Sequence, residues 1–191
     1  KSKMNKLICI ENMGFDISWR TICVGLWGQE EIPKILCRND VTEYADYKLT
    51  CDNADNGARI QGFVDIICNA DDGENLDKTL IKLLKNDRTS AEFQKRKWRV
   101  YLLKETLNDM PDDSLQGLLR LMEFWISMNC DCPTEFPKSD KENRRYFTKK
   151  TYDKILAQNN AWLNKEISEI VMREKKCGST SLCEKLGTIT N

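Results

Sequence analysis

Residues 118–126 read Leu-Leu-Arg-Leu-Met-Glu-Phe-Trp-Ile, a run in which seven of nine side chains are apolar. Asp113 and Ser114 stand before the run and can cap the start of a helix. After it, residues 130–143 contain Pro133 and Pro137 among polar neighbours, which is typical of a loop. The run predicts a helix that is apolar on most faces and forms the central element of a helical core.

On both sides of this run, apolar residues recur every three or four positions, as they do in amphipathic helices. The further predicted helices cover residues 16–28, 40–51, 58–69, 76–84, 89–108 and a last stretch of more than twenty residues from Thr148 or Thr151. Asp40 with Glu43, and Thr89 with Glu92, have the spacing of capping boxes. Residues 8–15 are too short to classify and would fit a short N-terminal strand or an extended lead-in.

The pattern predicts a mostly α protein of about seven packed amphipathic helices. It forms one domain over residues 1–176, followed by a Gly-, Ser- and Thr-containing tail over residues 177–191. At 191 residues the chain is long enough to bury a sizeable core.

The chain contains no histidine. Its absence excludes Ser-His and Cys-His nucleophile systems and every metal site that uses imidazole. Glycine-rich phosphate loops are also missing, and no carboxylate pair has the apolar setting that would raise its pKa for acid–base work. We therefore predict that the protein is not an enzyme and uses no cofactor.

The chain has nine cysteines, an odd number. Cys130, Cys132, Cys177 and Cys183 could supply four thiolates, but intervals of two and six positions fit structural zinc poorly, so we predict no metal. No apolar signal segment opens the sequence and no run approaches the roughly 20 apolar residues of a membrane span. These features favour reduced thiols in the cytoplasm; a small secreted cysteine-rich effector is the alternative.

Charge is unevenly distributed, although 30 basic and 30 acidic residues balance overall. Residues 40–77 carry ten acids and two bases, a net charge of −8, whereas residues 78–104 carry a net charge of +7. The two stretches could neutralise each other, or the acidic one could bind the cationic cleft of a partner protein. The candidate partner-binding residues are Asp40, Glu43, Asp46, Asp52, Asp55, Asp71, Asp72 and Glu74.

Basic residues gather beside aromatic ones in two places, at residues 95–99 and at residues 138–150. This combination is typical of proteins that bind single-stranded nucleic acid. The first cluster lies in a predicted helix with Trp98 turned inward, and the acidic stretch beside it would repel phosphate. Nucleic-acid binding or regulation through residues 138–150 is therefore an alternative function.

Several tryptophan and apolar positions across residues 16–170 resemble a small uncharacterised family of bacterial helical proteins associated with the immunity proteins of polymorphic toxins. The positions that carry the resemblance are Ser18-Trp19, Ile22 and Gly25; Asp40-Val41 and Tyr44-Ala45; Lys97-Trp98 and Leu102-Leu103; Phe124-Trp125 before Pro133; and Tyr152 with Trp162-Leu163. Such positions specify a fold and supply no catalytic residues.

The resemblance implies a cytoplasmic protein that protects its own cell by binding a toxin domain, as in contact-dependent growth inhibition. With the charge pattern, it leads us to expect an immunity protein that neutralises a toxin, most simply a nuclease. The partner is then the cognate toxin domain, with no membrane involved and nucleic acid disfavoured.

Overall fold

The computed structural model describes residues 4–51, 57–137, 142 and 146–186, and this part of the chain is mostly helical, without a strand. The mostly α fold predicted from the sequence is confirmed. The helices are α1 Lys6–Glu11, α2 Trp19–Trp27, α3 Arg38–Cys51, α4 Gly57–Cys68, α5 Gly73–Leu84, α6 Ala91–Asn108, α7 Ser114–Met128 and α8 Lys149–Leu186.

The N-terminal strand that residues 8–15 would have fitted is wrong, because α1 occupies this segment. Asn5 caps α1 by accepting a hydrogen bond from the Leu7 backbone N–H. Leu7 and Ile10, three positions apart, are both fully buried, so one face of a short helix is anchored. A four-residue apolar run does not distinguish strand from helix, and here the cap and the burial decide.

Two compact units make up the chain, Lys1–Trp98 and Arg99–Asn191. In the first, α3 packs on α4 and also on α1, while α5 packs on α2 and α4. The centre of this unit is filled by aromatic rings: Phe63 meets Trp19 edge-on at 5.0 Å and Tyr44 at 6.0 Å between ring centroids. Trp98, also fully buried, donates a 2.8 Å hydrogen bond from Nε1 to the Thr21 carbonyl.

In the second unit, α7 packs on α8 through aromatic and amide side chains. Trp125 donates from Nε1 to the buried Asn159 Oδ1 at 2.7 Å, and its ring meets Trp162 edge-on. Gly117 lies against the ring of Tyr152, where an added Cβ would stand 2.5 Å from Cζ. Tyr152 is fixed in turn by its hydroxyl, which donates to the Pro111 carbonyl.

The central position predicted for the 118–126 run is wrong in one respect, because α7 is buried on one side only. Leu119 and Ile126 are exposed, whereas Leu118, Leu121 and Trp125 are buried. The helix is apolar nearly all round, but only one face has a partner within the described chain. Towards the C-terminus of the chain, the α8 backbone stays helical to Leu186, beyond the end of the domain expected at Lys176.

Candidate functional site

The predicted acidic surface falls on α3 and on the start of α5, both in the first unit. Of its eight predicted residues, Asp52 and Asp55 lie outside the described residues. The other six divide into carboxylates that hold the fold together and carboxylates that are open to solvent.

Asp40 belongs to the first group. Its Oδ2 accepts from Lys6 Nζ at 2.9 Å and from the Cys37 backbone N–H at 2.7 Å. The helix begins at Arg38, before the predicted cap, so Asp40 lies in the first turn and reaches back to the cap position. Burial alone would raise the pKa of Asp40, but the hydrogen bonds from Cys37 and Lys6 outweigh it and lower that pKa.

We expect Asp40→Asn to lower the free energy of unfolding at pH 7 by about 1 to 2 kcal/mol, because an ion pair and a charge-assisted cap are lost. A lowered folded-state pKa contributes stability that is present above the ordinary value of 3.8 and is lost as the pH falls through the folded value. The difference between wild type and variant in urea unfolding should therefore shrink from pH 5 towards about pH 3. A difference that stays constant over this range would contradict the assignment.

Glu43 and Asp46 lie on the outer face of α3 and are exposed. Asn39, Glu43, Asp46 and Thr50 follow one another at helical spacing opposite the buried Val41, Tyr44 and Ala45. The Asn39 amide donates to Glu43 Oε1 at 2.6 Å, a neutral contact that leaves the carboxylate charge in place. These two acids therefore present negative charge to solvent.

At the start of α5, one acid stabilises the fold and the others are exposed to solvent. Asp72 is the N-cap and accepts from the backbone N–H groups of Glu74 and Asn75. Glu74 is exposed and pairs with Lys78 at 2.6 Å, whereas Asp71 is exposed in the turn before the cap. The start of α5 is tied to that of α3 by Arg38, which packs on Gly73 and pairs with Asp77 at 2.8 Å.

Two lysines on or beside α3 form ion pairs with acids other than Glu43 and Asp46. Lys6 pairs with Asp40, and Lys48 pairs with Glu11 at 3.1 Å, its side chain being mostly buried. Neither contact involves Glu43 or Asp46. We define Glu43 and Asp46 as the acidic surface, since both carboxylates are exposed on the outer face of α3 and neither is a cap.

A second group of acids was missed by the sequence reasoning, which counted acids only from Asp40 onward. Glu30, Glu31 and Glu92 surround the Nζ atom of Lys95 at 2.5, 3.4 and 2.6 Å. The only sequence signal was the pair of adjacent acids, Glu30 and Glu31. In the structure these two residues lie in a turn closed by an isolated bridge between Gln29 and Ile32. Burial alone would lower the pKa of Lys95, but the three carboxylates outweigh it and raise that pKa.

The basic cluster at residues 95–99 is largely buried. Lys95, Lys97 and Arg99 are all buried, and Lys97 Nζ donates to the Asp16 carbonyl at 2.6 Å. Of the second cluster, residues 138–141 and 143–145 lie outside the described residues. Lys149, which is described, pairs with Asp153 at 2.7 Å.

The described residues hold no group of three or more cysteine, aspartate or glutamate side chains placed to bind a metal ion. The side chains of Cys177 and Cys183 lie outside the description. One described cavity, of about 380 Å³, is lined by a mixed set of polar and apolar side chains that includes Thr134, Glu135, Tyr146, Lys154 and Gln158. Within the same part of the chain, no helix has the length and apolar character needed to cross a membrane.

Comparison with known proteins gives one family and no individual relative. Neither the curated proteins nor the solved structures contain a match to this chain. A family model described as an uncharacterised protein conserved in bacteria (DUF2247) matches residues 8–167, which include α2 to α7 entire and most of the described α8 side chains. The chain therefore belongs to this conserved bacterial family of uncharacterised proteins.

Proposed function

We propose that this protein is a cytoplasmic immunity protein that binds a cognate toxin domain, most simply a nuclease, and blocks it in the cell that produces it. The observation that supports this most directly is the acidic surface of Glu43 and Asp46 on the first unit. Lys6 pairs with Asp40 and Lys48 pairs with Glu11, and neither of these ion pairs involves the acidic surface.

A nuclease holds its phosphate-rich substrate in a cleft lined with lysine and arginine, so an inhibitor of that cleft needs exposed carboxylates on a firm support. Here α3 supplies the support, since its buried face packs Val41, Tyr44 and Ala45 into the first unit. Complementary charge of this kind raises the rate of encounter and selects the partner. In this proposal the protein acts by covering its partner and catalyses no reaction.

The test is association with the protein encoded beside this chain's reading frame, where the proposal expects a secreted protein with a toxic C-terminal domain. We expect Glu43→Gln/Asp46→Asn to slow association about tenfold at low salt, because steering is lost, and the difference to shrink as salt rises. Stopped-flow or surface-based kinetics at two ionic strengths measures both effects.

Asp112→Asn/Asp131→Asn is the matched control, because it removes two exposed carboxylates from the second unit. It should leave the association rate within about twofold of wild type, as expected for charges outside the contact. Equal slowing by both double variants would show a general charge effect and reject the acidic surface. A neighbouring domain that does not bind wild-type protein at all would reject the immunity function.

A further inference from the structure

Two cysteines lie close together in the irregular segment that follows α7. The helix ends at Met128, because Asn129 adopts the left-handed conformation that is common at helix C-termini. Cys130 and Cys132 come next, outside any helix, and both are thiols. In a helix, residues two positions apart point to different sides. The end of α7 at Met128 releases the two thiols from that separation.

The side chains of the two cysteines lie on one side of this segment. Cys130 and Cys132 are half-buried, whereas Asp131 between them is exposed. Such alternation is that of extended backbone, in which residues two positions apart share a face. Pro133 adds to this, since a proline favours an extended conformation in the residue before it. The two thiols therefore face the same way.

The spacing of the two cysteines is within reach of a disulfide bond. Two successive residues extend the chain by at most about 7 Å, so the Cα atoms of Cys130 and Cys132 are no farther apart than that. Disulfides join Cα atoms that are about 4.4 to 6.8 Å apart. The chain bends at Cys130, and a bend shortens the separation. A bond between the two sulfurs therefore needs side-chain rotation and a local adjustment of this segment, and it leaves α7 in place.

Thr134 holds the sulfur of Cys132 in a polar setting. Its backbone N–H donates to Cys132 Sγ at 3.4 Å, and its Oγ1 lies 3.2 Å from the same sulfur. Cys23 shows the opposite case, because it is buried in the first unit and burial raises its pKa to about 12. A thiol in an apolar core is inert, whereas a thiol that is partly open to solvent can react with dissolved disulfides.

We propose that Cys130 and Cys132 form a site of reversible thiol–disulfide exchange, which closes into a disulfide when a low-molecular-weight disulfide such as oxidised glutathione is in excess. One cysteine, as the thiolate, attacks a sulfur of the glutathione disulfide, breaks that S–S bond and forms a mixed disulfide. The second cysteine then attacks the protein's sulfur in the mixed disulfide and forms the bond within the chain. Two protein thiols are oxidised and one glutathione disulfide is reduced. The two protons that the cysteines lose leave on the two glutathione thiols.

The same bond opens again in an excess of thiol. It closes a ring across a single intervening residue and lies in a partly exposed segment, and strained or exposed disulfides are the ones that thiol buffers reduce. The mixed disulfide is short-lived, because the neighbouring thiol attacks it within the same molecule. The proposal does not depend on the immunity function and uses a different unit of the chain.

Mass spectrometry of the full chain tests the proposal. After equilibration with oxidised or with reduced glutathione, the remaining thiols are blocked by alkylation and the chain is cut with trypsin. Cleavage after Arg120 and Lys138 releases residues 121–138, which contain Cys130 and Cys132 and no other cysteine. With oxidised glutathione this peptide should lose two hydrogen atoms and carry no glutathione, and reduced glutathione should restore both thiols. A peptide that keeps both thiols in the oxidised buffer, or that carries two glutathiones, overturns the proposal.

Single substitutions separate the two steps of the exchange. Cys130→Ser and Cys132→Ser should each stop at a mixed disulfide with one glutathione, because the second thiol is missing. Cys68→Ser is the control, since it removes an exposed thiol from α4 in the first unit and should leave the bond unchanged. Loss of the bond in Cys68→Ser overturns the proposal as well. So does a non-reducing gel in which the bond joins two copies of the chain.

Discussion

Gly25→Ala is expected to lower the free energy of unfolding by about 2 to 3 kcal/mol, although alanine is the better helix former. A Cβ at this position of α2 would overlap the Trp98 ring, with Cε2 at 2.7 Å, and would lie 2.9 Å from Leu36 Cδ1. Trp98 cannot move aside cheaply, because it is fully buried and its Nε1 is bonded to the Thr21 carbonyl. Thermal and urea unfolding of the variant measure the loss.

Gly57→Ala is the matched control for this prediction. Gly57 is also helical, but among the residues that the structure describes no heavy atom of a neighbouring side chain or element lies within 4 Å of its added Cβ. Alanine there should stabilise the protein by about 0.4 to 1 kcal/mol, because it restricts the unfolded chain. If overlap with Trp98 is the cause, Gly25→Ala/Trp98→Phe should cost less than the sum of the two single substitutions. Additive costs would contradict that cause.

Lys95→Met is expected to cost about 1 to 3 kcal/mol at pH 7, because the mostly buried Glu31 loses its ion-pair partner, whereas Glu30 and Glu92 stay largely in solvent. The Lys95 side chain is 5% exposed, and it neutralises Glu30, Glu31 and Glu92 together. Methionine preserves the apolar stem but leaves three carboxylates facing one another. Lys149→Met is the control: its pair with Asp153 is exposed on both sides, so its loss should leave the free energy of unfolding nearly unchanged.

The pH dependence of Lys95→Met tests its mechanism. In the folded variant the three carboxylates repel one another, and acid relieves this repulsion as the pH falls. The difference from wild type in urea unfolding should therefore shrink between pH 7 and about pH 4. In wild type, the raised pKa of Lys95 keeps its contribution fully present below its ordinary value of 10.5. A cost that does not change with pH would indicate lost packing instead of lost charge.

Helix positions were largely predictable from the sequence, because α2 to α5 and α7 have apolar residues at regular spacing between clear breaks. The helix from Ala91 to Asn108 was located through its apolar positions, but the burial of its basic residues was not foreseen. Lys95, Lys97 and Arg99 are buried among partners from distant parts of the chain, such as Glu30 and the Asp16 carbonyl. Sequence patterns assign charged residues to the solvent face, since contacts between distant residues are invisible to them.

The candidate site was predictable only in outline. The excess of acids between residues 40 and 77 is visible in the sequence, whereas the structural role of each acid is not. Whether an aspartate is a cap, an ion-pair partner or an exposed charge depends on where the helix begins. A shift in the start of α3 was enough to turn Asp40 from a predicted surface acid into a residue that supports the fold.

The turn that carries Glu30 has a consequence for how the family can vary. Glu30 has a φ of 52°, a conformation in which glycine or asparagine is favoured and a glutamate is strained. The backbone conformation thus favours glycine or asparagine at position 30, whereas the ion pair with Lys95 requires an acid. This chain has the acid. In family members with an apolar residue in place of Lys95, no ion pair requires an acid in the turn. We expect those members to have glycine or asparagine at position 30. The two positions, 65 residues apart in the chain, should then change together during evolution.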